Sequence, residues 1–170
     1  MRRVYFYLAF IMLYWAGFSG SVLAHDKQVV GWIEKVTINP GNIIFRAKID
    51  TGAKNCSLNT TKIDHFERNG ERWVRFELTN RHQKKVTIES KVKRTAKIKE
   101  NEGKPPEVRP TVVLGVCLGN VYKEVEVNLT NRSNFIYPML IGRTFLKGSF
   151  TVDPSLKYTL KSNCSGDSKR

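Results

Sequence analysis

The chain has 170 residues, of which 41% are apolar, and 29 Lys and Arg stand against 15 Asp and Glu, a formal net charge of +14. This length accommodates one domain with its own core and excludes a multidomain enzyme. The apolar fraction excludes wholesale disorder, and the 3 cysteines are too few for a disulfide scaffold. The sequence has no Gly-x-Lys-Ser/Thr loop, His-Glu-x-x-His helix or Cys-x-x-Cys pair. The common sequence motifs of ATP and zinc sites are therefore absent.

The first residues have the pattern of a secretory signal peptide. Residues 1–3 form a short positive start, residues 4–18 are an apolar run, and small residues follow up to Ala24. Val22 and Ala24 occupy the −3 and −1 positions that a signal peptidase reads. We expect cleavage after Ala24 and export to a bacterial periplasm. The alternative is an uncleaved membrane anchor, for which the apolar run is short and rich in aromatic residues.

The rest of the chain has an apolar period of two far more often than 3.6, which predicts strands. Asn69-Gly70 and Gly119-Asn120 indicate two hairpin turns, residues 99–110 one long loop, and residues 162–170 a polar, loose tail. Many short strands with tight turns predict an all-β closed barrel across residues 25–161, with one helical turn near its end. The predicted strands are residues 29–38, 43–49, 63–68, 73–78, 86–88, 112–118, 121–129, 138–141, 150–152 and 157–160, and the helical turn is at 143–147.

The most informative motif is Asp50-Thr51-Gly52-Ala53, in which a β-rich strand brings a carboxylate into a tight turn. Alone it is a weak signal, because Asp and Gly are common turn residues. A second motif follows about ninety residues later, where residues 139–143 read Met-Leu-Ile-Gly-Arg, bulky apolar residues followed by glycine.

Together the two motifs resemble the retropepsin fold of single-domain aspartic peptidases, in which the apolar-apolar-Gly segment threads behind the catalytic loop. More narrowly, the chain resembles the bacterial family labelled ATP-dependent zinc proteases and now usually described as retropepsin-like aspartic endopeptidases. The segments that carry this resemblance are residues 31–34, 47–53, 73–76, 107–110, 127–132, 137–143 and 152–154.

The resemblance implies that Asp50 is catalytic. An aspartic peptidase needs two carboxylates that share one proton, and the chain has no second Asp-Thr/Ser-Gly. The resemblance therefore implies a homodimer with one Asp50 from each subunit and a polypeptide substrate. Asp153 and Asp64 are the rival second acids, and both are expected to be structural residues of turns.

The resemblance also gives supporting roles to six neighbours, namely Thr51, Gly52, Ala53, Ile141, Gly142 and Arg143. The Thr51 hydroxyl would link the two catalytic loops, and Gly52 would present its carbonyl to a bound peptide. Arg143 would brace the loop, but viral relatives have an acid where this chain has Lys54. Arg143 must therefore find another acid, or this brace is absent.

No Gly-rich flap of the viral kind is visible in the sequence. The only candidate cover is the hairpin of residues 66–76, with Asn69 and Gly70 at its turn and Trp73 on its second strand.

The cysteines and histidines give little support to a zinc enzyme, because no pair has the close spacing that places two ligands on one face. No metal and no other cofactor is expected. A Cys117–Cys164 disulfide would suit an oxidising compartment and leave Cys56 free near the site; the other pairings remain open.

The positive charge is concentrated between residues 81 and 99 and suggests an anionic envelope surface as a partner, through Lys84, Lys85, Lys91, Lys93 and Arg94. An exported protein meets little nucleic acid, so none is expected, and a solvated basic face is the simpler reading. Three functions remain: an exported aspartic endopeptidase, a non-catalytic barrel that binds a peptide or an envelope polymer, and, least favoured, a metallohydrolase.

Overall fold

The computed structural model describes residues 26–98 and 106–164. Among these residues, no helix has the length and apolarity needed to cross a membrane. The signal peptide predicted at residues 1–24 lies outside the described residues. In chain order the elements are β1 (Gln28–Val30), β2 (Ile33–Asn39), β3 (Ile43–Ile49), β4 (Cys56–Asn59), β5 (Ile63–Arg68), β6 (Glu71–Thr79), β7 (Lys85–Lys91), β8 (Arg94–Ile98), β9 (Glu107–Leu118), β10 (Val121–Thr130), β11 (Met139–Ile141), the single helical turn α1 (Arg143–Leu146), and β12 (Phe150–Val152).

Six strands form a closed barrel in the order β10–β4–β11–β3–β2–β9, and β9 pairs back with β10. The β10–β4 and β11–β3 pairs are parallel, whereas β2 runs antiparallel to both of its neighbours. The predicted all-β closed barrel with one helical turn near its end is therefore confirmed.

Strand β3 shows how the alternating sequence builds this barrel. Ile44, Arg46 and Lys48 face outwards, because successive side chains of a strand point to opposite faces. The inward side chains are buried in the core, and they are Ile43, Phe45, Ala47 and Ile49. Asp50 follows directly after the last of them, so the strand carries it to the end of the barrel.

The remaining strands lie outside the barrel. Strands β5, β6 and β7 form a separate three-stranded sheet, β8 pairs with the first five residues of β9, and β1 pairs with β12. The predicted hairpin turns at Asn69-Gly70 and Gly119-Asn120 connect β5 to β6 and β9 to β10. Asn69, Gly70 and Gly119 all have positive φ angles, as tight hairpin turns require.

Two of the strand predictions are wrong because of contacts with the chain's own C-terminal segment. The predicted strand 29–38 is interrupted at Gly31, where an added Cβ would lie 2.3 Å from the carbonyl oxygen of Leu156. Residues 157–160 are not a strand. They pass beside β2 instead, where the backbone N–H of Tyr158 donates to the carbonyl oxygen of Ile33 at 2.8 Å.

The predicted loop 99–110 is also too long, because β9 already begins at Glu107 and pairs there with β8. Residues 99–105 lie outside the described residues. Pro110 is tolerated in this strand because the pairing of β9 with β10 ends at Thr111, so Pro110 is not in the middle of the barrel sheet.

The C-terminal segment is fixed by a buried carboxylate. One oxygen of Glu34, Oε1, accepts hydrogen bonds from the N–H of Gly31 at 2.8 Å and from the N–H and hydroxyl of Thr159 at 3.0 and 2.6 Å. The other oxygen, Oε2, accepts from the N–H of Leu160 at 3.4 Å. These donors satisfy a charge that would otherwise be costly to bury.

The first residues of the tail that was predicted to be loose are fixed to the barrel by a disulfide and a hydrogen bond. Cys164 forms a disulfide with Cys117 in β9, and the N–H of Asn163 donates to the carbonyl oxygen of Gly119 at 2.7 Å. The disulfide is one of the pairings that the sequence left open, and it leaves Cys56 free and buried. Residues 165–170 lie outside the described residues.

Replacing Glu34 by alanine should lower the free energy of unfolding by about 2–4 kcal/mol, because the buried N–H of Gly31 and the partly buried donors of Thr159 lose a charged acceptor. Urea denaturation of the full chain measures this. The matched control is Glu124→Ala, at an exposed position of β10, which should change the free energy of unfolding by less than about 0.5 kcal/mol. Equal effects of the two substitutions would contradict the assigned role of Glu34.

Candidate active site

Asp50 begins a tight turn whose conformation its own side chain stabilises. One carboxylate oxygen, Oδ1, accepts hydrogen bonds from the backbone N–H groups of Gly52 at 2.9 Å and Ala53 at 3.2 Å. The other oxygen, Oδ2, has no hydrogen-bond donor among the described residues. The carboxylate is half-buried, so it has a fixed orientation and one oxygen that remains available.

The second sequence motif lies directly behind this turn. The N–H of Asp50 donates to the carbonyl oxygen of Ile141 at 2.9 Å. In the opposite direction, the N–H of Arg143 donates to the carbonyl oxygen of Ala53 at 2.9 Å, and that of Thr144 to Lys54 at 3.0 Å. The structure therefore brings together two segments that are about ninety residues apart in the sequence.

Gly142 makes this close approach possible. A Cβ added at Gly142 would lie 2.5 Å from the carbonyl oxygen of Asn55 and 2.8 Å from that of Lys54. Both are backbone atoms, which cannot move aside as the end of a flexible side chain can. Cys56 is buried in the same region, where burial raises the pKa of its thiol to about 11 although a backbone hydrogen bond with Gly142 opposes that rise.

Arg143 braces the loop through carbonyl groups, and no acid among residues 26–98 and 106–164 pairs with it. Its Nη1 donates to the carbonyl oxygens of Thr51 and Gly52, each at 2.7 Å. The two carbonyl oxygens take the place of the acid that viral relatives have at the position of Lys54. The Gly52 carbonyl keeps a second lone pair with which it can accept a hydrogen bond from a peptide.

Thr51 lies at the exposed surface of the loop. Its hydroxyl makes no hydrogen bond within the part of the chain that the structure describes, whereas its carbonyl is held by Arg143. The side chain is thus free to contact another molecule.

Arg132 is a charged residue of this region that the sequence analysis did not single out. It is only 8% exposed, and its guanidinium donates to the Ser57 hydroxyl at 3.1 Å and to the Tyr137 carbonyl oxygen at 3.3 Å. Burial lowers the pKa of the Arg132 guanidinium, the charge of Arg109 lowers it further, and the negative charge of Asp50 opposes both. Arg132 therefore lies within electrostatic reach of Asp50. In the sequence it stands in an ordinary polar turn, so no pattern indicates its burial.

The two rival acids are engaged elsewhere. The carboxylate of Asp153 accepts hydrogen bonds from the hydroxyl and the N–H of Ser155 at 2.6 and 2.8 Å, and both interactions lower its pKa. Asp64 is exposed and lies 3.8 Å from the ammonium group of Lys62. Neither belongs to the hydrogen-bonded loop around Asp50.

The candidate flap residues lie on the separate three-stranded sheet. Trp73 stacks on Phe66 with ring centroids 6.5 Å apart, and the Arg68 guanidinium lies 4.6 Å from the Trp73 ring. Asn69 and Gly70 form the turn of this hairpin. No hydrogen bond or ion pair among the described residues joins Asn69, Gly70 or Trp73 to the Asp50 loop.

A different hairpin, formed by β8 and β9, connects to the Asp50 region. Glu107 of β9 accepts a hydrogen bond from the Thr130 hydroxyl at 2.6 Å and forms an ion pair with Arg109. Arg109 in turn acts electrostatically on Arg132. These interactions link the β8–β9 hairpin, at the end next to its connecting loop, to the surroundings of Asp50.

The basic segment does not form one uncompensated face. Lys85 lies 3.4 Å from Glu77, Arg94 lies 2.7 Å from Glu126, and Lys91 pairs with Glu71. The ammonium group of Lys84 instead donates to two backbone carbonyl groups. Lys93 is exposed.

A closed barrel with an Asp-Thr-Gly turn, supported from behind by an apolar-apolar-Gly strand, defines the retropepsin-like class. Residues 29–163 match the RimB-like family model, described as the retropepsin-like aspartic endopeptidase RimB. The chain belongs to this family, as the sequence resemblance predicted.

The chain is similar in fold to a solved structure and in sequence to part of larger enzymes. A solved Legionella pneumophila protein of unknown function, Lpg0085, is 34% identical with a TM-score of 0.69, covering 80% of this chain and 100% of that one. A probable alpha-L-glutamate ligase of Shewanella pealeana is 37% identical over 119 residues, 68% of this chain but only 26% of the ligase. A ligase of the same name from Desulfotalea psychrophila is 28% identical over 121 residues, 25% of its length. The chain thus spans about a quarter of the length of these two ligases.

Replacing Gly142 by alanine should lower the free energy of unfolding by about 2–4 kcal/mol, because the added Cβ would overlap the backbone of the Asp50 loop. The matched control is Gly70→Asn, since nothing lies within 4 Å of a Cβ there and asparagine tolerates a positive φ. Chemical denaturation of both variants measures the difference. A stable Gly142→Ala variant would mean that the two segments are not packed as described.

Proposed function

We propose that this protein is an exported aspartic endopeptidase that acts as a homodimer. The observation that carries the proposal is the Asp50 carboxylate, whose Oδ1 is fixed by the turn and whose Oδ2 is free of donors in the described residues. A carboxylate held in this way can receive a proton from water without a change of conformation. The family match supports the same class of activity.

A second carboxylate is needed for the reaction, and a second subunit is its natural source. Two adjacent aspartates share one proton, because two negative charges cannot both persist in a confined site. The ionised aspartate takes a proton from water as the water oxygen bonds to the scissile carbonyl carbon, and the protonated aspartate donates to the carbonyl oxygen. Transfer of a proton to the leaving nitrogen then breaks the carbon–nitrogen bond.

We propose acidic polypeptides as the substrates. The curated relatives carry a similar segment within enzymes named for glutamate ligation. The full chain has a formal net charge of +14 and stays strongly positive after the two arginines of the leader are removed, so it attracts acidic chains over several ångströms. Because the match covers 26% of the Shewanella ligase, we assign ligation to the parts of the ligase outside this match. The role proposed for the shared segment is to act on glutamate-containing chains.

Export is proposed from the leader-like residues 1–24, and the Cys117–Cys164 disulfide supports an oxidising compartment. We also propose that the exposed basic residues bind an anionic envelope surface.

A second candidate is a non-catalytic peptide-binding barrel. It is favoured by the relatives that are named as ligases, in which such a barrel would hold the acceptor chain. The two candidates differ in whether Asp50 is needed for a chemical step.

Substituting Asp50 by asparagine should lower the rate of cleavage of a glutamate-rich peptide by about 100-fold or more, because the substitution removes both carboxylates of the dyad, one from each subunit. Mass spectrometry of peptide fragments after incubation with the purified full chain measures the rate. Asp64→Asn is the matched control, since Asp64 is an exposed acid outside the site, and it should cleave as the wild type does. Equal rates for wild type and Asp50→Asn would contradict the proposal, and binding without cleavage by the wild type would favour the second candidate.

Replacing Thr51 by alanine should weaken the dimer about tenfold, because a hydroxyl that links the two catalytic loops would be lost. Sedimentation velocity over a range of protein concentrations gives the dissociation constant. Thr87→Ala, on the exposed face of β7, is the control and should leave association unchanged. An unchanged dimer in Thr51→Ala would place the interface elsewhere.

A further inference from the structure

A pocket of about 470 Å³ lies where the turn between β2 and β3 meets the turn between β6 and β7. We call it the basic pocket. Its apolar wall includes Ile44 and Pro138. The basic side chains that line it are Lys35, Arg46, Arg81, His82 and Lys84.

The basic pocket is held in shape by internal hydrogen bonds. The ammonium group of Lys84 donates to the carbonyl oxygens of Gly41 and Asn42 at 3.1 and 2.8 Å, which ties one turn to the other. The side-chain oxygen of the buried Asn80 accepts from the N–H groups of His82 and Lys84 at 2.9 and 3.0 Å. The position of the lining is therefore set before any ligand arrives.

The charge of this pocket is not compensated by the protein. No Asp or Glu lines it, and none of its lysines or arginines has an ion-pair partner among the described residues, in contrast to Lys85, Lys91 and Arg94. Lys35 lies directly opposite Arg46 in the β2–β3 ladder, where two like charges are destabilising. A bound anion would relieve this repulsion.

The basic pocket lies at the start of β3, and the candidate catalytic residue follows the end of the same strand. Arg46 and Lys48 stand on the outer face of β3, and Asp50 is the first residue after this strand. The rise of a strand places the Cα of Arg46 about 13 Å from that of Asp50. An extended peptide has the same rise, so a side chain about four residues from the scissile bond would reach Arg46.

We infer that the basic pocket is a remote subsite that binds carboxylate side chains of the substrate about four or more residues from the bond that is cut. The inference rests on the proposed function, which supplies an extended acidic chain at Asp50. Arg46 and Arg81 are its specificity-determining residues, because guanidinium groups bind carboxylates with two parallel hydrogen bonds. Arg46 is further oriented by the Tyr137 ring, whose centroid is 5.9 Å from the guanidinium carbon.

This subsite should make KM depend on the length of the peptide. A chain of about twelve glutamates spans both the Asp50 loop and the basic pocket, whereas a chain of about four does not. The double substitution Arg46→Gln with Arg81→Gln should raise KM for the longer peptide about tenfold or more and leave KM for the shorter one within about twofold. The control is Lys157→Gln with Lys161→Gln, which removes the same charge from exposed positions outside the pocket and should leave both values within about twofold.

Binding to the inactive Asp50→Asn protein separates this inference from the proposed function. Fluorescence anisotropy with the labelled longer peptide should show about tenfold weaker binding when Arg46 and Arg81 are also replaced, whether or not the wild type cleaves. Equal weakening by the Lys157 and Lys161 control would indicate diffuse charge attraction and overturn the inference, as would unchanged binding. Tighter, pocket-dependent binding of phosphatidylglycerol vesicles would overturn it in favour of a membrane surface.

Discussion

The candidate site depends on one set of backbone hydrogen bonds, between the Asp50 turn and the segment that leads into α1. The N–H of Asp50 is held by Ile141, and the N–H groups of Arg143 and Thr144 are held by the turn in return. Because the hydrogen bonds run in both directions, neither segment can shift without breaking hydrogen bonds to the other. The carboxylate is therefore positioned by the barrel itself, and the glycine at 142 is the residue that allows this contact.

Charge placement around that junction explains the departures from the viral pattern. The chain has Lys54 in place of an acid, and Nη1 of Arg143 donates to two carbonyl groups of the turn instead. This arrangement holds Arg143 without a second negative charge beside Asp50. A buried Arg132 supplies a positive charge within reach of the same carboxylate. Acidic side chains on the outer strands pair instead with the basic segment.

Local patterns predicted much of the fold, and contacts between distant segments account for most of the rest. The two hairpin turns were predictable because Asn-Gly and Gly-Asn tolerate positive φ angles. Strand β4 was missed because its four residues have no alternation and form a strand only through β10 and β11. The Asp50 turn and its apolar-apolar-Gly partner were recognised as one site from their resemblance to a family. The carbonyl partners of Arg143 and the burial of Arg132 were not predictable, because backbone acceptors and long-range burial leave no mark in the sequence.

We propose that two Asp50 carboxylates meet across a twofold axis. A crystal structure of the full chain, grown at a concentration where sedimentation shows the dimer, measures the distance between them directly. The account predicts carboxylate oxygens of the two subunits within about 3 Å of each other, with the Thr51 side chains of both subunits at the same interface. A dimer that buries another surface and leaves the two Asp50 side chains in separate solvent-filled clefts would contradict it.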